Sequence, residues 1–127
     1  MKSLTLRLLS NTFSIHSLPA HSDIPSAVLS ADMFFIAKTN DEVSIVVPES
    51  VKIASEDVET DWQALEVVGP LDFTLTGIMS SISTVLANEK ISIFAISTFD
   101  TDYILVKSNT LEAAIAALRE NQYKVLT

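Results

Sequence analysis

Two stretches of the chain concentrate side chains able to hold a small charged molecule. They are GPLDFTLTG, residues 69–77, and STFDTD, residues 97–102. In the first, Gly69 and Pro70 set a turn and a helical pattern follows. Thr74 or Thr76 can cap that helix, and Gly77 lets a ligand approach the backbone closely. The unpaired N–H groups of a first helical turn, helped by the helix dipole, attract an anion such as the α-carboxylate of an amino acid. Asp72, just ahead of the helix, offers a carboxylate to an α-ammonium group, and Phe73 and Leu75 complete the loop side. In the second stretch Thr98 and Thr101 offer hydroxyls, Asp102 a charge and Phe99 an apolar wall. Plainer uses exist for the same residues. Asp72 and Thr74 can simply cap a helix, and Asp100 and Asp102 can simply form a turn.

Composition narrows the functions. The chain has 127 residues and is 48% hydrophobic, with a mean hydropathy of +0.37, enough for a sizeable core. Its formal charge is −8 with no Lys/Arg cluster, which argues against nucleic acid and against an anionic membrane surface. Without cysteine there is no disulfide, no thiolate nucleophile and no zinc–cysteine site. MKSLTLRLLS is broken by Arg7 and does not read as a signal peptide, so a cytoplasmic protein is expected.

The elements that must position the two stretches follow from periodicity. Leu4–Leu9 reads as a strand, and NTFSIHSLP as a second short strand or an extended connection. DIPSAVLSA predicts a helix of one to two turns, with Asp23 as its cap and Pro25 in its first turn. MFFIA and VSIVV flank KTNDE as a hairpin. The acidic stretch from Pro48 to Asp61 reads as a solvated connector. Trp62–Gly69 predicts a strand with Trp62 as a core anchor. Leu75, Ile78, Met79, Ile82, Val85 and Leu86 then fall on one helical face. Ile91–Thr98 and Tyr103–Lys107 make a hairpin. Asn109 and Glu112 open a second helix with a stripe of Leu111, Ala114, Ile115 and Leu118, and YKVL forms a last strand.

The order from Trp62 onward is β-α-β-β-α-β. With right-handed crossovers it predicts an α+β, ferredoxin-like antiparallel sheet with helices on one face. The first half repeats strand, short helix and hairpin in a degenerate form. Two modules are therefore expected, 1–60 and 61–127, the second complete. The strand Ile91–Thr98 is apolar on both faces, with Ile91, Ile93 and Ala95 on one and Phe94 and Ile96 on the other. The first module or a second copy must cover the spare face, so a homodimer is expected. This fold sets the end of Ile91–Thr98 beside the start of the helix, so residues 97–102 face the 69–77 loop across a crevice.

VVGPLDFTLTGIMSSISTVLANEKISIFAISTFDTDYILVK followed by LEAAIAALREN resembles the ACT domain, and within it the small bacterial tandem-ACT proteins related to the CASTOR arginine sensors. The resemblance covers residues 62–127 well and the first half in outline, through FFIAKTNDEVSIVVPE. RENQY departs from the pattern, which has a glycine after Asn121. The resemblance implies a regulatory, ligand-sensing module that binds an effector between this loop and this hairpin, often at an interface between modules. On that reading Gly69, Asp72, Phe73, Leu75, Thr76 and Gly77 form one side of the site. Thr98, Phe99, Thr101 and Asp102 form the other. No Gly-rich phosphate loop, nucleophile elbow or His-Glu-x-x-His occurs, so no enzyme, cofactor or metal is expected. His16 and His21 have no ligand spacing and read as structural. The alternative to a ligand-binding domain is a protein–protein interaction module that no longer binds one.

Overall fold

Strand geometry runs unbroken from Thr5 to Pro19, so a single 15-residue strand, β1, stands where a strand followed by a second short strand or an extended connection was expected. Ser10 and Asn11 interrupt the apolar alternation, but both are exposed, and the ladder is made by the backbone, which polar side chains in water leave intact. The computed structural model describes residues 4–68 and 77–127. They divide into an N-terminal unit, residues 11–62, and a C-terminal unit, residues 4–10 and 63–127. β1 and β4 (Asp57–Val67) each contribute residues to both. β4 starts at Asp57 rather than Trp62. The acidic residues 57–61 are all exposed, so the solvated stretch is partly strand, and the true connector is residues 49–56.

In the N-terminal unit, α1 (Ser26–Leu29) is followed by the hairpin β2 (Phe35–Lys38) and β3 (Glu42–Pro48). The helix has one turn, and Pro25, not Asp23, holds the cap position. β3 pairs antiparallel with both β2 and β1, giving the order β2-β3-β1. Register places Ser14, His16 and Leu18 opposite Val47, Ile45 and Val43. Those three β3 residues and Val28 are fully buried, with Leu18, Ile24, Phe34, Val51 and Ile53 packed on them.

In the C-terminal unit, α2 (Ile78–Asn88) leads to the hairpin β5 (Phe94–Ser97) and β6 (Asp102–Lys107). A 3-10 turn (Ser108–Thr110), α3 (Leu111–Glu120) and β7 (Lys124–Leu126) follow. The helical stripes are where periodicity puts them. Ile82 and Leu86 on α2 and Leu111, Ala114, Ile115 and Leu118 on α3 lie in one buried cluster with Leu6, Leu65, Val67, Ile104 and Val106. Leu75 lies outside the described residues. Asn109 does not cap α3. The 3-10 turn absorbs it, and Thr110 precedes the helix with its hydroxyl donated back to the Lys107 carbonyl. Gln122, at φ +74°, occupies the left-handed position where the family pattern has glycine.

The strand order here is β7-β1-β4-β6-β5. β7 pairs in parallel with β1, Leu6 opposite Val125, so the first strand of the chain stands between β7 and β4. A sheet assembled from residues 61–127 alone would lack this strand. On the face that carries Phe94 and Ile96, their neighbour Leu105 is fully buried within one chain, and Phe94 and Ile96 are half-buried. Among the described residues no helix is long and apolar enough to cross a membrane.

Candidate functional site

The β5–β6 hairpin closes on itself through its hydroxyls. The Thr98 N–H donates to the Thr101 carbonyl at 2.8 Å, and the Thr98 hydroxyl donates to the same carbonyl at 3.2 Å. The Thr101 N–H returns a bond to the Thr98 hydroxyl at 3.3 Å. Across the last strand pair, the Ser97 hydroxyl donates to Asp102 Oδ1 at 2.6 Å. Much of the polar excess that marks the sequence here is thus mutual support within the turn.

Thr101 reaches out of the turn. Thr101 is 7% exposed, and its hydroxyl donates to the carbonyl of Val67 at the end of β4. This fastens the hairpin to the end of β4, beside the last described residue before position 69. Gly69, Asp72, Phe73, Leu75 and Thr76 lie outside the described residues. Gly77 is described: it enters α2 at φ +79°, and a Cβ built on it would meet nothing within 4 Å. Glycine is needed there for its backbone conformation rather than for lack of room. Of the hairpin residues, Thr98 and Asp100 are exposed, Asp102 is half-buried, and Phe99 at the tip is 80% exposed.

Next to the hairpin lies a polar row that sequence reading missed. Tyr103 donates its hydroxyl to Glu66 Oε2 at 3.2 Å, and Arg7 Nη1 lies 3.6 Å from Glu66 Oε1. Burial pushes the Tyr103 phenol up, and the charge and hydrogen bond of Glu66 and the charge of Asp100 push it further. The cross-strand row of Arg7, Glu66 and Tyr103 on three neighbouring strands is the signal that could have found it, but only once the strand order is known.

The N-terminal unit has a pocket of about 780 Å³ at the ends of β1 and β3, with Asp41, Glu42, Ser55, Glu56 and Asp57 among its walls. None of the residues picked from the sequence lines it. His16, expected to be structural, is buried in the same unit, with Nδ1 2.6 Å from the Ser55 hydroxyl. His21 is exposed.

Residues 57–120 match the family model of the ACT domain. A solved protein from Agrobacterium tumefaciens is 32% identical, with a TM-score of 0.91 over 99% of this chain and 94% of its own. A Vibrio cholerae protein of unknown function, described as a possible transport protein, is 20% identical. Its TM-score is 0.69 over 93% of this chain and 89% of its own. The ligand-free regulatory subunit of aspartate kinase from Thermus thermophilus shares the fold at 15% identity, with a TM-score of 0.65 over 94% of this chain and 98% of its own. No protein of curated function matches the sequence.

Proposed function

We propose that this chain, which belongs to the ACT domain family, is a non-catalytic regulatory module that binds an amino acid between the 69–77 loop and the 98–102 hairpin. The observation that carries the reading is the bond from Thr101 to the Val67 carbonyl, which ties the hairpin to the strand that feeds the loop. Backbone N–H groups at the start of α2 take the α-carboxylate, as a helix N-terminus favours an anion. Asp72 and Asp102 take the ammonium. There is no Arg or Lys between residues 53 and 89 to neutralise this charge, so a basic amino acid satisfies both carboxylates where a simple zwitterion leaves one underused. The resemblance to the tandem-ACT arginine sensors agrees with that preference.

A thermal-shift screen against the twenty amino acids tests the reading. One or a few ligands, basic ones foremost, should raise the melting temperature, because a ligand that binds only the folded state stabilises it by mass action. No shift with any of them would leave the interaction-module alternative. The protein is further proposed to work in the cytoplasm as a homodimer, with Phe94 and Ile96 on the edge strand β5 at the contact. Sedimentation at micromolar concentration should then show a species near twice 13.8 kDa, and a sharp monomer would overturn the dimer.

A further inference from the structure

Among the described residues of the N-terminal unit, His16 is the one buried titratable side chain, at 6% exposure. Its Nδ1 meets the Ser55 hydroxyl at 2.6 Å, while its Nε2 is buried with no hydrogen-bond partner among the described residues. A neutral ring fits this setting. With its proton on Nδ1 it donates to Ser55 and leaves only a bare acceptor at Nε2. A protonated ring does not fit. It would bury a charge and point a second N–H, at Nε2, where no acceptor stands.

Relief must come from the weaker of the two sides that enclose the ring. β1 and β3 are laddered over seven residue pairs, from Phe13↔Pro48 to Pro19↔Glu42. The 49–56 connector is held more lightly. Its described backbone bonds are from the Glu49 N–H to the Thr12 carbonyl and from the Val51 N–H to the Pro48 carbonyl. Val51 and Ile53 pack on the core only in part. Connector residues Ser55 and Glu56, with Asp57 at the start of β4, are also walls of the acidic pocket.

We propose that His16 is a proton-operated latch: its neutral ring holds the 49–56 connector closed through Ser55, and proton uptake releases the connector and reshapes the pocket it walls. The charged groups on the surrounding elements are Lys38 on β2, Asp41 and Glu42 at the β2–β3 turn, Glu49, Lys52 and Glu56 on the connector, Asp57, Glu59 and Asp61 on β4, and His21 and Asp23 ahead of α1. α1 itself carries none. All are exposed except Glu49, which is half-buried and accepts the Asp61 N–H at 2.8 Å. Burial is what moves the ring, and it lowers the pKa from 6.5. The open state therefore binds the proton and the closed state resists it. Closure is insensitive to pH well above 6.5 and weakens as the pH falls below it.

The test is amide hydrogen exchange in the intact chain, corrected for the intrinsic rate, with the histidine rings titrated by NMR in the same samples. Between pH 7.5 and 5.5 the protection of Glu49 and Val51 should fall by about tenfold, the change in opening expected when only the open state has an ordinary histidine pKa. Amides in the middle of the β1–β3 ladder should hold. His16→Gln should remove the pH step. Should that variant fail to fold, Ser55→Ala decides: it keeps the ring but should leave Glu49 and Val51 weakly protected already at pH 7.5. The proposal is overturned if connector protection ignores pH, if the ladder amides fall in step with it, if Ser55→Ala protects as wild type does, or if His16 titrates at or above the ordinary histidine value.

Discussion

Residues 61–127 expressed alone should show no cooperative thermal transition, although they contain the whole β-α-β-β-α-β order. The reason is the place of β1. Its first residues stand between β7 and β4, and Leu6 is fully buried among Leu65, Val67, Ile104 and Val125. Without residues 4–10, β7 loses its only described partner strand and β4 loses a neighbour. Truncating one buried leucine to alanine costs about 2–5 kcal/mol. A domain's whole stability is about 5–15 kcal/mol, so losing a central strand with both its ladders is not survivable. Residues 1–60 alone should fail as well, since they end inside β4 and before Trp62, which is 8% exposed in the intact chain. Circular dichroism melts of both fragments check this. A cooperative melt from 61–127 would mean that β7 can close directly on β4. In the intact chain, Leu6→Ala isolates one part of the effect: urea denaturation should show a loss within that 2–5 kcal/mol range.

The same strand shows where sequence reading stops. The stripes on α2 and α3 were legible because helical contacts are local: Ile82 and Leu86, or Leu111, Ala114, Ile115 and Leu118, announce their shared face by spacing alone. The two hairpins were legible for a similar reason, as each pairs neighbours in the chain. The insertion of β1 was not. Leu6 meets Val125 across more than a hundred residues, and no period-2 pattern says which strand a strand will join. Local competition hid other details. Asn109 is a good cap by type, yet a 3-10 turn takes that position, and Gln122 adopts a left-handed backbone that its side chain does not announce.

At the candidate site the legible part was the hairpin's polar surplus. What spacing could not reveal is how much of it is spent within the hairpin. Thr98 serves Thr101, Ser97 serves Asp102, and Thr101 serves Val67. Only the last of these is long-range, and a hydroxyl bonded to a carbonyl 34 residues earlier leaves no mark on local pattern.

That division of labour sharpens the expectation for Asp102. Its Oδ1 is taken by Ser97, so a ligand ammonium would be met mainly by Oδ2, already oriented by the Ser97 bond. Removing a charged hydrogen-bond partner costs about 1.5–3 kcal/mol, or roughly ten- to a hundredfold in affinity. Asp102→Ala should weaken binding of the amino acid found in the screen by that factor. It should leave the fold intact, because the side chain is half-buried at the hairpin's mouth rather than part of the core cluster. Asp100→Ala should change affinity little, since Asp100 is an exposed turn residue. Ser97→Ala separates the two ways Asp102 can matter. It deletes the internal hydrogen bond but keeps the carboxylate, so a residue acting on the ligand should survive it with a few-fold loss. Calorimetric titration of the three variants, with a melt of each, gives the answer. If Ser97→Ala loses as much affinity as Asp102→Ala, Asp102 acts by shaping the hairpin. If Asp100→Ala and Asp102→Ala lose equally, or Asp102→Ala loses nothing, the ammonium is held elsewhere.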